Sequence, residues 1–215
     1  LSIFAAIQPF HDLTSIYSMT TDALLWHAFR EGDQNAYTEL AHRYYRKLTH
    51  YGQKFTADNQ LVEDAIQDLL IYLWLHRKTL NDTPSVHFYL LKAFRNQLFR
   101  VLKAYPLNAE PVDELIGWQS VHSVEELYIQ QETTLGFQDK VAELLTQLPA
   151  RQKEVIYLRF YQGLKPEEIG EMLTIQAQSV SNIIQRALLN LRERWPNALL
   201  SLSLHSLFYS SFITF

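Results

Sequence analysis

An all-α fold of two small helical domains is predicted for this 215-residue chain by three features. Apolar residues recur at three- and four-residue steps through residues 22–103 and 139–195, the spacing of one helix face. Only six glycines and seven prolines are present, too few for a turn-rich β protein. Residues 104–138 keep no sustained period and hold six acids and no base, the composition of a linker. Hydrophobic residues make up 47% of the chain, enough to bury a core in each block.

The first helix is expected over residues 21–29, ended by Gly32. Asp33 then suits the N-cap of a second, because its carboxylate can accept from the free N–H groups of the first turn. In that helix Ala36, Tyr37, Leu40, Ala41, Tyr44 and Leu48 share one side. A third helix is expected over residues 61–77 and a fourth, after Pro84, over 86–103, with Lys92, Arg95, Arg100 and Lys103 on a basic side. The second block regains its period at Asp139 and stops at Pro149; a helix over 151–161 follows, ended by Gly163.

Then comes LKPEEIGEMLTIQAQSVSNIIQRALLNLRERW, residues 164–195, which reads as two helices around a short turn. Pro166 fits a first helical position, where a missing N–H costs nothing, and the acids after it suit the positive end of the helix dipole. At about 100° per residue, Val180, Ile184, Ala187 and Leu191 fall in one wedge, flanked by Ile183 and Leu188. The opposite side carries Gln178, Ser181, Asn182, Gln185 and Arg186. Amide and guanidinium groups make the bidentate hydrogen bonds that distinguish base edges in a major groove, and a helix-turn-helix offers the start of its second helix to them. By spacing alone, a helical hairpin with a solvated polar face stands on equal terms with a DNA reader.

On the helix over 61–77, Val62, Ala65, Ile66, Leu69 and Leu73 form the inward stripe. Its other side mixes Asp64, Gln67 and Asp68 with Ile71, Trp74 and Leu75. Carboxylates beside large apolar groups suit a docking surface; a second helix of the same chain covering that side is the alternative.

Charge and residue usage narrow the function. The net charge of −4 conceals two near-neutral blocks: eleven Lys/Arg against nine Asp/Glu over 22–103, and eight against seven over 139–195. With no cysteine there is no disulfide, thiolate metal site or cysteine nucleophile, and a reducing cytoplasm is the expected compartment. The eight histidines are scattered without an HExxH pair, and no phosphate-binding glycine loop occurs. Asp64 and Asp68 stand four apart, as metal carboxylates can, but lack a Glu-x-x-His companion. No catalytic residue, metal site, cofactor or small-molecule substrate is expected.

The ends differ from the rest. Residues 1–21 form an N-terminal extension whose first eighteen residues hold one charge and no basic stretch, so a secretory signal fits poorly. Met19 is the expected natural start, which mass spectrometry of the native N-terminus tests. Residues 196–215 are an uncharged tail of membrane-crossing length, but five serines and a histidine in the final fifteen residues favour a docked or frayed tail.

Two ordered motifs carry a resemblance. AFREGDQNAYTELAHRYY and VEDAIQDLLIYLW, then LPARQKEVIYLRFYQGLKPEEIGEML and SVSNIIQRALLNLRE, resemble the bacterial sigma-70 superfamily, in its two-domain extracytoplasmic-function (ECF) group. The match covers roughly 22–103 and 139–195, and the nearest branch resembles the iron-citrate-type factors. The resemblance implies a region 2-like bundle at 22–103, an acidic linker at 104–138 and a region 4-like helix-turn-helix at 139–195. It implies three partners: the clamp helices of core RNA polymerase, promoter DNA and an anti-sigma regulator.

By the same resemblance, Asp64, Gln67, Asp68, Ile71 and Trp74 are the polymerase-docking residues. HFYLLKAFRNQLFRVLK is similar to the element that captures the melted −10 strand, which assigns that role to Phe88, Tyr89, Lys92, Arg95, Asn96, Arg100 and Lys103. Gln178, Ser179, Ser181, Asn182, Gln185 and Arg186 would read the −35 element. There are departures from the family pattern. Thr174 stands at a usual turn glycine, so the turn either avoids positive φ or strains Thr174. Ser181 and Ile183 replace frequent basic residues, and Tyr89 replaces a common tryptophan while remaining able to stack. The competing function is a free-standing helix-turn-helix regulator whose N-terminal domain senses or dimerises.

Overall fold

The computed structural model describes residues 21–104, Trp118 and residues 145–194. Every regular element among them is helical. The chain divides into two units, Leu1–Val121 and His122–Phe215. The expected start of the second block at 139, most of the acidic strip and the uncharged tail lie outside the described residues. No helix among the described residues is long and apolar enough to cross a membrane.

In the first unit, α1 (Asp22–Glu31) buries Leu25, Trp26 and Phe29 and ends at Gly32, whose φ of 101° is left-handed. Asp33 caps α2 (Gln34–Gly52) as expected, accepting from the Asn35 and Ala36 N–H groups at 2.8 and 3.1 Å. Ala36, Leu40, Tyr44 and Leu48 are buried, whereas Tyr37 and Ala41 sit at the margin of that face. The Asp58 carboxylate starts α3 (Asn59–His76) two residues earlier than the apolar period predicts, accepting from Leu61 N–H at 3.1 Å. All five residues of the expected inward stripe of α3 are buried.

A short 3-10 turn, Arg77–Thr79, leads to α4 (Val86–Ala104), where Ser85 Oγ accepts from the Phe88 N–H. Gly52 lets α2 pass close to its neighbours, since a Cβ there would lie 2.7 Å from Val62 and 3.0 Å from Phe94. A network of Asp22, Glu39, Arg43 and Tyr44 ties α1 to α2. Burial and the Asp22 carboxylate push the Tyr44 phenol well above its ordinary range, so it remains a neutral donor.

In the second unit, α5 (Ala150–Ile156) does not run on as the regular helix the sequence predicts. It widens into a π turn over Tyr157–Tyr161, where the Gln162 N–H donates to Tyr157 O at 3.0 Å. The Tyr157 and Tyr161 rings stack 4.8 Å apart, and the buried Gln162 side chain donates to the Tyr157 hydroxyl at 2.9 Å. Two further helices follow, α6 (Pro166–Leu173), which buries Ile169, Met172 and Leu173, and α7 (Ala177–Arg194), which buries Val180 and packs Ala187 with Leu148 and Ile156.

Candidate functional site

Three faces hold the residues of interest, two in the first unit and one in the second. The first lies on α3. Asp64, Gln67, Asp68 and Ile71 are all exposed there, and Leu75 continues the line at 68% exposure. Asp64 accepts from Gln60 Nε2 and Asp68 from Gln97 Nε2, both at 2.9 Å, so Asp68 also ties this face to α4. Trp74 differs from these in its surroundings. It is half-buried, tilted against Tyr37 with centroids 5.1 Å apart and covered by the Arg77 guanidinium at 4.4 Å. Sequence reasoning passed over Tyr72, exposed beside this face; its neighbours at three and four residues are not all apolar, so periodicity gave no signal.

The second face is the outer side of α4. Phe88, Lys92, Arg95 and Phe99 follow at steps of four, three and four, one line along a helix. The Lys92 ammonium lies 5.8 Å from the Phe88 ring centre, and the Arg95 guanidinium 4.2 Å from that of Phe99. Asn96, Arg100 and Lys103 are exposed beside this line. Tyr89 is half-buried, edge-on to the buried Trp26 at 5.0 Å, and burial raises its pKa. Phe99 is the member that the sequence did not single out. Apolar residues are frequent along α4, so spacing did not distinguish it; its ring meets the buried Phe55 at 5.0 Å.

In the second unit α6 and α7 form the helix-turn-helix. Glu168 accepts from the Lys165 N–H at 2.8 Å, closing the first turn of α6. Thr174 takes φ 55° and ψ 45°, so the turn keeps the left-handed geometry and strains the threonine. A Cβ on Gly170 would lie 2.7 Å from the Ile175 carbonyl, whose N–H in turn donates to Gly170 O at 2.9 Å. This backbone contact fixes the crossing of the two helices. Gln178, Ser179, Ser181, Asn182, Gln185 and Arg186 are all exposed on α7, opposite buried Val180 and Ala187. Gln178 Nε2 donates to Asn182 Oδ1 at 3.2 Å, which orders the first two amides. Ser181 donates to Ala177 O, leaving only acceptor capacity for a ligand. Leu189, 49% exposed, continues this line one turn beyond Gln185.

Such faces suit a helical protein that grips one macromolecule with α3 and nucleic acid with α4 and α7; the described residues bring no metal-binding group of His, Asp and Glu together. The family comparisons specify this class. The model for Sigma-70 region 2 matches residues 40–116 and that for Sigma-70, region 4 matches 144–193, together more than half of the chain. The chain belongs to the sigma-70 family and is a transcription initiation factor of the ECF type. It is 22% identical over 174 residues to the RNA polymerase sigma factor NccH of Alcaligenes xylosoxydans xylosoxydans, covering 78% of this chain and 91% of that protein. Its fold is similar to CnrH, solved in complex with the cytosolic domain of CnrY, at 19% identity and a TM-score of 0.53, covering 80% of this chain and 95% of that one. The sigma factor RpoE in complex with the anti-sigma factor NepR from Bartonella quintana matches at 18% identity and a TM-score of 0.47, over 69% of this chain and 89% of that one.

Proposed function

We propose that the chain docks on the clamp helices of core RNA polymerase through Asp64, Gln67, Asp68 and Ile71, joined by Leu75. Trp74 supports that surface from its rim. We assign capture of the melted −10 strand to Phe88, Tyr89, Lys92, Arg95, Asn96, Arg100 and Lys103, with Phe99 beneath Arg95. Gln178, Ser179, Ser181, Asn182, Gln185 and Arg186 then read the −35 element. The observation that carries this reading is the line on α4 where two cations, Lys92 and Arg95, each lie over a ring, Phe88 and Phe99. Flipped bases need π faces and phosphates need cations, and this helix supplies both within one turn of each other.

The energetics follow from charge. Each block is near neutral, so phosphate contacts alone hold neither domain on a promoter firmly. Attachment to polymerase turns the second DNA contact into an intramolecular one and multiplies their affinities. The protein does no chemistry of its own and takes no cofactor or small-molecule substrate; it acts by binding, in the cytoplasm where polymerase works. A protein partner that withholds it from polymerase, an anti-sigma regulator, is part of the proposal; the similar CnrH was solved in complex with a protein partner, the cytosolic domain of CnrY.

In vitro transcription from a pre-melted and a duplex promoter, with core polymerase and the full chain, tests the reading. Promoter-dependent transcripts that require the chain are expected. Tight duplex binding by the chain alone, without any response of polymerase, would overturn it in favour of the free-standing regulator.

A further inference from the structure

We infer that Trp118 is an additional single-strand contact, a stacking surface that lengthens the −10 face beyond Phe99. It comes from the acidic strip between the two blocks, where sequence patterning offers only a linker. Its ring lies against the first unit, 5.5 Å from the Phe55 ring centre and 6.5 Å from that of Tyr51. Phe55 in turn meets Phe99 at 5.0 Å, edge-on, and Phe99 carries the Arg95 guanidinium 4.2 Å above it. One buried ring thus separates Trp118 from the cation-covered ring of the strand-capture face. With centre-to-centre contacts of 5.5 Å and 5.0 Å through Phe55, the Trp118 and Phe99 rings lie at most 10.5 Å apart.

Three properties make Trp118 more than a lid on that core. It is half-buried, so part of the indole stays open to solvent while Tyr51 and Phe55 fix the rest. Its seat is pre-ordered, since Tyr51 and Phe55 pack edge-on at 5.1 Å and both are buried. An indole held in this way loses little further freedom when a base stacks on it. Finally, residues 115–124 carry no Asp, Glu, Lys or Arg, so the nearest carboxylates in sequence are Glu114 and Glu125. The seat needs only an apolar group, whereas stacking needs an aromatic one, and that difference separates the two roles.

This inference rests on the assignment of the α4 face to single-stranded DNA. Its test uses polymerase reconstituted with the full chain and a fluorescent single-stranded oligonucleotide, in which one 2-aminopurine is moved along the sequence. Trp118→Ala should weaken binding by roughly tenfold, the loss expected for one base–aromatic stack. Trp118→Phe should restore most of the affinity, while Trp118→Leu, which still fills the seat, should bind as weakly as Trp118→Ala. One 2-aminopurine position should lose its quenching in both weak variants. Full affinity and quenching in Trp118→Leu would overturn the inference, and thermal melting of each variant identifies any loss that comes from unfolding. Lys92→Ala with Arg95→Ala serves as the separate control. If that pair weakens binding and the Trp118 variants do not, only the role of Trp118 falls; if neither does, the α4 assignment falls with it.

Discussion

Replacing Asp64 and Asp68 together by alanine should detach the chain from core polymerase while leaving it folded. Both carboxylates are exposed. Among the described residues, Asp64 accepts a hydrogen bond from Gln60 and Asp68 one from Gln97, both at 2.9 Å and at the surface. Exposed contacts of this kind contribute a few tenths of a kcal/mol to about 1 kcal/mol. The fold should therefore lose about 1 kcal/mol, and Tm should fall by roughly 5 °C. Across an interface the same carboxylates would accept charge-assisted hydrogen bonds, at about 1.5–3 kcal/mol each. Taking the low end, because both are exposed to water in the free chain, the pair contributes about 3 kcal/mol, or roughly 100-fold in Kd. Titration of fluorescently labelled chain with core polymerase measures this directly. Single variants should each lose roughly tenfold, and the loss should shrink at high salt. A double variant that melts normally and keeps its affinity for core polymerase would refute the docking face.

Three further outcomes are expected. Lys92→Ala with Arg95→Ala should slow open-complex formation, read by permanganate footprinting, and flatten the salt dependence of single-strand binding by about 0.7 in slope for each phosphate no longer neutralised. Gln185→Ala should cost about 1–3 kcal/mol on the best −35 sequence and relax preference at a single base pair, seen by binding to a library of duplexes. Thr174→Gly removes a side chain from a left-handed position, so the helix-turn-helix should gain roughly 1 kcal/mol in denaturant unfolding, offset in part by the freer unfolded chain.

The Asp33 cap and the inward faces of α2 and α3 were legible because they depend on neighbours within one or two turns. The five apolar positions of α3 repeat at helical steps, and any compact arrangement must bury them. The Asp33 cap is likewise a contact over two or three residues. The resemblance to sigma factors was legible for a related reason: two motifs in order, separated by a strip without period, constrain each other.

What the sequence could not decide was which exposed-looking group is covered, and by what. Trp74 shares a helix side with Ile71, yet Tyr37 and Arg77 half-bury it, because α2 passes there. Phe99, which spacing did not single out, meets both the buried Phe55 and the Arg95 guanidinium. The 29-residue separation between Asp68 and Gln97, and the still longer one between Phe55 and Trp118, leave no periodic trace. Thr174 shows the same limit in the backbone. Its identity alone allowed a turn of either kind, and the close pass of Gly170 against Ile175 imposed positive φ. Local spacing selects the helices and the side of each that must leave water; the packing of those sides decides which remaining groups stay accessible to polymerase and DNA.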